Sequence, residues 1–200
     1  WKQGRFKPLT TMEAAEMIAE AKRFVPEFVR IVRIQRDIPT YATSSGVDRT
    51  NLRQYVEKIC KERGINCKCI RCREIGFFIK NNKNIKIDFN NIKTKITEYE
   101  ASNGKEFFIA AEDIKNDVLI GFVRLRFPSQ FLREEITDKS ALIRELHVFS
   151  PSLQIGKSSE DSYQHKGIGK SLMKKAEEIA RQNGKGKIVV IAGIGAREYF

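Results

Sequence analysis

Apolar residues recur with two different periods along the chain, and the change of period divides it in two. Up to about residue 80 they recur every three or four positions, which is typical of amphipathic helices. One helix is predicted to begin at about Thr11, because Thr10 and Glu13 have the spacing of a capping box. A second helix is predicted over residues 51–63, and the looser alternation of residues 29–34 predicts a strand between the two.

Beyond residue 92 the pattern becomes typical of a sheet, with alternation along residues 93–100 and a run at residues 188–192 that is apolar on both faces, as expected of a buried strand. Strands are predicted over residues 93–100, 106–112, 118–127, 142–149 and 187–192. The second and third of these form a predicted hairpin around a turn at residues 113–117. An amphipathic helix is predicted over residues 168–182, and residues 128–139 are predicted to form a loop or a short helix.

A stretch rich in Asn and Lys, residues 81–91, separates the two patterns. We therefore predict a first domain over residues 1–80, a linker over residues 81–92 and a second domain over residues 93–200. The chain begins at Trp1 and ends at Phe200, where another element is predicted to start. We expect it to be part of a longer protein whose second domain continues beyond this chain.

The chain is basic and has the composition of a globular protein. Of its 200 residues, 41% are hydrophobic and 31% are charged, and 37 Lys and Arg against 25 Asp and Glu give a formal net charge of +12. This charge favours a polyanionic partner, and nucleic acid is the expected one. The alternative is an ordinary solvated surface rich in lysine. No apolar run has the length of a membrane span, so no membrane partner is expected.

All four cysteines lie close together in the sequence, at positions 60, 67, 69 and 72. This clustering argues against a secreted disulfide framework and favours a reducing, cytoplasmic compartment. Cys67, Cys69 and Cys72 offer three thiolates within a short segment, which suits tetrahedral zinc, and Cys60 is the predicted fourth ligand. The alternatives are free thiols and, for Cys60, simple packing in the core.

A glycine-containing turn, residues 164–170, leads into the predicted helix 168–182 and is a candidate anion site. Backbone N–H groups at a helix N-terminus can converge on a phosphate, and the helix dipole favours negative charge there. Gly167 and Gly169 let the backbone approach a ligand closely, and His165 and Lys166 add positive charge. The alternative is an ordinary helix cap, because two glycines at a helix start are a weak signal alone.

Motifs in both halves of the chain resemble one enzyme family. Gln164-x-x-Gly167-x-Gly169 matches the acetyl-CoA signature of the GCN-five-related acetyltransferases (GNAT). Together with RELHV at 144–148 and GIGAREY at 193–199, this motif resembles the acetyltransferase domain of the catalytic subunit of the Elongator complex, which is its third subunit. The end of the radical S-adenosylmethionine domain of these subunits resembles WKQGRF at 1–6, RIQRDIP at 33–39 and SSGV at 44–47. The abundance of Ile, Lys and Asn favours an archaeal member.

The resemblance implies an α/β (mixed α+β) fold, in which the tail of a radical S-adenosylmethionine barrel precedes a GNAT domain with a mixed, mainly antiparallel sheet. It implies modification of the tRNA wobble uridine with acetyl-CoA, in a full-length enzyme that also uses S-adenosylmethionine and a 4Fe–4S cluster. The iron–sulfur motif C-x-x-x-C-x-x-C does not occur in this sequence, so we expect this chain to bind or hydrolyse acetyl-CoA rather than to perform the radical step. The implied partners are tRNA and either other Elongator-type subunits or a second copy of the chain.

Residue by residue, the resemblance assigns acetyl-CoA contacts to a strand, a turn and the chain end. Glu145, Leu146, His147 and Val148 match the strand that lies along the pantetheine arm. The other matching residues are Gln164, Lys166, Gly167, Ile168, Gly169, Lys170 and Phe200.

Hydrolysis of a thioester needs a base for water and an acid for the departing thiolate. Glu145 and His147 are candidate bases, and the alternatives are a paired strand carboxylate and a structural histidine. A period of two along the strand predicts that Ile143, Glu145 and His147 share one face. Related enzymes have paired tyrosines near the chain end, where this chain has Tyr199 and Phe200, so Tyr199 is the candidate acid and the second hydroxyl is missing.

Arginines of the first half are candidate tRNA contacts, because a guanidinium matches the geometry of phosphate. They are Arg30, Arg33, Arg36, Arg49, Arg53, Arg71 and Arg73. For each, the alternative is an ion pair with a local carboxylate. Two other functions stay open, a GNAT-type protein lysine acetyltransferase and a non-catalytic tRNA-binding module with a vestigial acetyl-CoA pocket.

Overall fold

The structure is a computed structural model that describes residues 1–34, 39–81, 87–149 and 167–200. The chain forms two compact units, residues 1–72 and residues 73–200. Residues 82–86 of the predicted linker lie outside the described ranges, so the predicted domain boundary stays a prediction. Of the helices in these ranges, none is both long and apolar enough to cross a lipid bilayer.

The first unit is built on two packed helices, α1 (Thr11–Ala21) and α2 (Leu52–Glu62), as predicted. The predicted capping box is confirmed, because Thr10 Oγ1 accepts from the Glu13 N–H at 3.2 Å and the Glu13 carboxylate accepts from the Thr10 N–H at 2.8 Å. The buried core of this unit comprises Ala15, Ala19, Ile34, Leu52, Val56, Ile59, Cys60 and Ile65.

The strand predicted at residues 29–34 is wrong: these residues all lie in a described range and form no regular element. Their backbone groups bond to partners other than a strand. The Val29 carbonyl accepts from the Ile70 N–H at 2.9 Å, and the Arg53 guanidinium donates to the Ile31 and Val32 carbonyls at 3.4 Å. Ile70 begins a four-residue helix, α3 (Ile70–Arg73). An alternating pattern makes a strand only where a second strand can pair with it.

The second unit contains one five-stranded sheet. Its elements are α4 (Ile75–Asn81), β1 (Ile92–Ala101), β2 (Gly104–Asp113), β3 (Val118–Phe127), β4 (Ser140–Val148), α5 (Ile168–Gln182) and β5 (Lys187–Val190). The strands lie in the order β1-β2-β3-β4-β5, with three antiparallel junctions and a parallel one between β4 and β5. The predicted mixed, mainly antiparallel sheet is therefore confirmed, and residues 128–139 form a loop.

Two turns connect the first three strands, and the sequence predicted the second of them. Ser102 and Asn103, both at positive φ, form the two-residue turn between β1 and β2. Between β2 and β3, the Asp113 carboxylate accepts from the Lys115 N–H at 3.0 Å and from the Asn116 side chain at 2.7 Å. The predicted hairpin and its turn at residues 113–117 are confirmed.

One face of the sheet packs against α5. The core between them comprises Phe107, Ile109, Ala111, Val123, Leu125, Ala141, Ile143, Leu172, Ala176, Ile179 and Ala180. Each large apolar side chain that is fully buried here, such as Leu172, contributes roughly 1.5–3 kcal/mol to folding. This core fixes α5 against the middle of the sheet and so fixes the position of its N-terminus.

A β-bulge interrupts the pairing of β3 with β4. The register passes from Arg124 opposite Glu145 to Leu125 opposite Ile143, so Arg144 is the extra residue on β4. A bulge of one residue reverses the alternation of side chains beyond it.

The predicted shared face of Ile143, Glu145 and His147 is wrong because of this bulge. Ile143 and Leu146 pack in the core under α5. Glu145 and His147 lie on the opposite face, where the His147 ring is 6.2 Å from the ring of Phe122. Both candidate bases therefore face away from α5.

Candidate functional site

The strands β4 and β5, the last two in the order of the sheet, part halfway along β4. Their parallel ladder ends at Ile143 opposite Val190, whereas β4 continues along β3 as far as Val148. Among the described residues, no strand lies on the β5 side of residues 144–148. Backbone N–H and C=O groups on that side can therefore bond to an extended ligand, as they would to a neighbouring strand.

The N-terminus of α5 begins at a glycine in the left-handed conformation. Gly167 has φ of 75° and precedes the first helical residue. The first helical hydrogen bond runs from the Ser171 N–H to the Gly167 carbonyl at 3.0 Å. The N–H groups of Ile168, Gly169 and Lys170 precede this bond, so they are the orphan donors that an anion can bind. The predicted turn contacts Gln164, His165 and Lys166 lie outside the described residues.

Tyr199 brings the chain end to this turn. A β-carbon built on buried Gly169 would overlap the Tyr199 hydroxyl and would lie 3.6 Å from Val148 Cγ2. The structure therefore brings together the turn, the end of β4 and the candidate acid. The Phe200 ring lies 5.2 Å from the Tyr199 ring and lines a cavity of about 370 Å³ between α5 and β5.

The two candidate bases have different surroundings. The Glu145 carboxylate accepts from Arg124 Nε at 3.1 Å, and the Glu145 side chain is 38% exposed. The half-buried His147 ring lies 4.5 Å from the ring of Phe149 and is packed among aromatic side chains. This packing favours a structural role for His147 over that of a base.

A buried carboxylate beside the site was not predicted from the sequence. Glu106 is 2% exposed, and it accepts from the Tyr99 hydroxyl at 2.6 Å, from Arg126 Nη1 at 2.9 Å and from Arg144. Burial alone would raise the pKa of Glu106, but the hydrogen bonds from Tyr99, Arg144 and Arg126 lower it overall. The one signal in the sequence that could have indicated it is a charged residue, Glu106, directly before an apolar run in β2.

Arg124 connects this carboxylate to the candidate base. Its Nη1 donates to the Tyr99 hydroxyl at 2.9 Å while its Nε donates to Glu145. Its guanidinium carbon lies 5.3 Å and 5.4 Å from the ring centroids of Phe108 and Phe122. Burial, and then the hydrogen bond to Glu106, raises the pKa of Tyr99.

Three of the four cysteines lie together in the first unit. The Sγ atoms of Cys67, Cys69 and Cys72 are within 4.8 Å of one another. Hydrogen bonds from the Cys67 and Cys72 thiols lower the pKa of Cys69 to about 2, and the hydrogen bonds of Cys72 with Cys67 and Cys69 raise the pKa of Cys72. A cluster that already stabilises one thiolate fits a soft divalent cation such as zinc.

Cys60, the predicted fourth ligand, is not part of this group. Its side chain is buried in the apolar core between α1 and α2, and this burial raises the pKa of its thiol. Lys22 approaches the cluster instead, since it is 3% exposed and its Nζ lies 3.4 Å from Cys72 Sγ. Burial opposes the charge of Lys22, but its electrostatic interactions with Cys72, Cys67 and Cys69 and its hydrogen bond to Cys72 raise the pKa of Lys22 overall.

The predicted tRNA-contact arginines differ in exposure. Arg33, Arg49 and Arg71 are exposed, Arg30 and Arg53 are half-buried, and Arg36 lies outside the described ranges. Arg73 is 4% exposed, and its guanidinium lies 2.8 Å from Glu112 and 2.9 Å from Asp117. A buried guanidinium in this position cannot reach a phosphate of the RNA, so Arg73 is removed from the set.

Two family models match the chain. The model of the acetyltransferase (GNAT) family matches residues 79–200, more than half of the chain, and that of the Radical_SAM C-terminal domain matches residues 1–62. The chain is 48% identical to a tRNA uridine(34) acetyltransferase of Methanocaldococcus infernus, over all of this chain and 38% of that protein. It is 37% identical to Elongator complex protein 3 of Homo sapiens, over all of this chain and 36% of that protein. The chain thus spans less than two fifths of the length of these curated relatives.

A solved structure also resembles the whole chain. It is that of the archaeal Methanocaldococcus infernus Elp3 with an N-terminal deletion, to which this chain is 48% identical. The TM-score is 0.90, and the similarity covers all of this chain and 47% of that one.

Proposed function

The chain belongs to the acetyltransferase (GNAT) family, and we propose that it binds acetyl-CoA beside β4 and hydrolyses the thioester when tRNA binds. In this proposal it is the acetyl-CoA-handling part of an enzyme that modifies the tRNA wobble uridine. The names of its relatives, tRNA uridine(34) acetyltransferase and Elongator complex protein 3, support the choice of tRNA.

The observation that carries the proposal is the parting of β4 from β5 beside the N-terminus of α5. The pantetheine arm of acetyl-CoA carries amide groups that can bond to the free backbone groups at residues 144–148. Its pyrophosphate then reaches the N–H groups of Ile168, Gly169 and Lys170, where the helix dipole favours negative charge. The pantetheine arm and the pyrophosphate of one ligand thus meet matching groups that lie side by side in the fold, although β4 and the turn are far apart in the sequence.

The reaction needs three groups around the thioester. A backbone N–H of β4 polarises the carbonyl, since negative charge develops on its oxygen during attack. Glu145 takes a proton from water, and the resulting hydroxide attacks the carbonyl carbon. The carbon–sulfur bond then breaks, and the thiolate takes a proton from the Tyr199 hydroxyl, which yields acetic acid and free CoA. The proton on Glu145 returns through solvent to the Tyr199 phenolate, and the acetic acid ionises to acetate. A positioned base or acid contributes about 10²- to 10⁴-fold each in rate.

We also propose that Cys67, Cys69 and Cys72 hold zinc in the first unit. The close spacing of their sulfur atoms and the low pKa of Cys69 support this proposal. A zinc ion there would crosslink the segment between α2 and α3 and so stabilise a short, loop-rich region. The position of Cys60 in the apolar core supports packing rather than ligation for that residue.

Further parts of the proposal concern the whole protein. Its radical step would use S-adenosylmethionine and a 4Fe–4S cluster, in keeping with the match to the Radical_SAM C-terminal domain. Exposed arginines of the first unit, Arg33, Arg49 and Arg71, would contact tRNA phosphates, with Arg30 and Arg53 at the edge of that surface. We place the protein in the cytoplasm, with the domain boundary at residues 81–92, and expect it to assemble with other Elongator-type subunits or with itself.

One experiment tests the function directly. The chain is incubated with acetyl-CoA alone, with tRNA and with a lysine peptide, while the release of free CoA thiol is measured. Thiol release that requires tRNA supports the proposal. Turnover with the peptide alone would show a protein lysine acetyltransferase instead, and tRNA binding without thiol release would show a non-catalytic binding module.

A further inference from the structure

The side chain of Arg124 is held in one position by its surroundings. It lies on β3 directly opposite Glu145, and its side chain is 14% exposed. The rings of Phe108 and Phe122 lie within 5.4 Å of its guanidinium carbon. An arginine packed in this way has already lost its rotamer freedom, so its hydrogen bonds cost little further entropy.

The direction of each hydrogen bond from Arg124 to Glu106 follows from the chemistry. A guanidinium can only donate, so the Tyr99 oxygen accepts from Arg124 Nη1. The Tyr99 hydroxyl proton is then free to point at the Glu106 carboxylate, 2.6 Å away. Glu106 is buried and also accepts from Arg126, which fixes the far end of the series. The series therefore has one orientation, with Glu106 as its anchor.

Glu145 itself has little else to hold it. It follows the bulge at Arg144 and lies beyond the last β4–β5 pair, and its side chain is 38% exposed. A glutamate in such a place has several rotamers of similar energy. The bond from Arg124 Nε at 3.1 Å selects one of them.

We infer that Arg124 is a positioning residue for the reaction, and that the series Glu106–Tyr99–Arg124 holds the Glu145 carboxylate where it can take a proton from water. This inference rests on the proposed function, because it gives Glu145 the role of base. It adds three residues to the machinery that the acetyl-CoA signature does not contain. Displacement of a catalytic group by about 1 Å can cost about 10²-fold in rate, so the loss of a residue that prevents such displacement should lower the rate measurably.

The test compares kcat and KM for thiol release from acetyl-CoA in the presence of tRNA. Tyr99→Phe removes one hydroxyl and keeps the ring, and we expect kcat to fall about 3- to 10-fold; for Arg124→Gln we expect about 30- to 100-fold. KM and the Kd for acetyl-CoA, measured by calorimetry, should stay within about twofold for both, because neither side chain is placed against the ligand. Lys105→Gln is the matched control, because it also removes a positive charge from the sheet. The Lys105 ammonium pairs with Glu98 at 2.6 Å and is not part of the series Glu106–Tyr99–Arg124.

A double-mutant cycle separates positioning from a general effect on the fold. In the Glu145→Gln background, Arg124→Gln should lower kcat less than about twofold, because its target is already gone. An equal loss in both backgrounds, or a raised KM with unchanged kcat, would overturn the inference. Should Arg124→Gln fail to fold, Tyr99→Phe alone decides by the same cycle.

The failure of the inference and that of the proposed function look different. A parent chain that releases no thiol with tRNA removes the proposed function and this inference with it. A parent chain that turns over normally, together with folded Arg124→Gln and Tyr99→Phe variants that turn over equally well, removes the inference alone.

Discussion

The hydroxyl of Tyr199 occupies the space where a side chain at Gly169 would begin. A side chain at position 169 would therefore have to displace the hydroxyl of a residue thirty positions away in the sequence. An anion that binds to the N–H groups of Ile168, Gly169 and Lys170 must share this space with the phenol. Binding of an anion at the turn should therefore affect the position of the Tyr199 hydroxyl, the candidate acid.

The turn is tested by Gly169→Glu. We expect acetyl-CoA affinity to fall at least tenfold, which is at least about 1.4 kcal/mol, because a carboxylate would repel the pyrophosphate and the side chain would displace Tyr199. The Kd is measured by calorimetry, together with tRNA affinity, which should change little. Gly76→Glu in α4 is the control, since it adds the same charge where a β-carbon has nothing within 4 Å. Equal affinities for the two variants would show that the pyrophosphate lies elsewhere.

Tyr199→Phe tests the acid. We expect tRNA-dependent thiol release to slow about 10- to 100-fold while acetyl-CoA affinity stays nearly constant, because only the proton donor is lost. Steady-state rates with saturating tRNA give the answer. Tyr41→Phe serves as the control, since Tyr41 is 91% exposed in the first unit. A rate unchanged by Tyr199→Phe would assign the acid to another group.

The metal proposal is tested by the zinc content of purified protein. Cys69→Ser should lose most of the metal, because Cys69 lies within 4.8 Å of both other sulfur atoms and already favours the thiolate. Cys60→Ser should keep it, because Cys60 is packed in the apolar core. Elemental analysis of the two variants beside the parent decides. Retention of zinc by Cys69→Ser would reject the site, and its loss in Cys60→Ser would restore Cys60 as a ligand.

Glu106 should make stability depend on pH. Its pKa is lowered in the folded protein, so its ionised form stabilises the fold above the ordinary pKa of about 4.3, and this stability is lost as the pH falls through the folded-state pKa. Glu106→Gln should cost about 3–5 kcal/mol at pH 7, because it leaves the largely buried Arg126 guanidinium without its carboxylate partner.

Urea denaturation at several values of pH measures this effect. The difference between parent and Glu106→Gln should shrink as the solution is acidified below about pH 4.3, since the parent carboxylate then becomes protonated. The control is Glu98→Gln, which breaks an exposed ion pair with Lys105 and should cost about 0–1 kcal/mol. A constant difference between pH 7 and pH 3 would mean that the charge of Glu106 is not what stabilises the fold.

Local signals predicted most of the elements. The capping box at Thr10 and Glu13 places the start of α1, and the apolar period of 3.6 places α5 at Ile168–Gln182. The hairpin between β2 and β3 follows from alternation and from turn residues such as Asp113. These features depend on residues a few positions apart, which is the range over which a sequence pattern is informative.

Features that depend on distant pairing could not be predicted in the same way. The bulge at Arg144 arises from the register between β3 and β4, and it reverses the face that simple alternation assigns to Glu145. The contact of Tyr199 with Gly169 and the series from Glu106 to Arg124 join residues on different elements. Spacing of cysteines suggested four ligands, but the packing of α2 directs Cys60 into the core.

An open strand edge is also a template for unwanted pairing. Within the described part of the chain, no strand covers the β5 side of residues 144–148, and the groups there would suit a strand of a second molecule as well as a pantetheine arm. We expect protein kept without acetyl-CoA to self-associate through β4, and light scattering should show less association when acetyl-CoA is added. The backbone groups of residues 144–148 would then both bind acetyl-CoA and, once acetyl-CoA covers them, be protected from pairing with a strand of a second molecule.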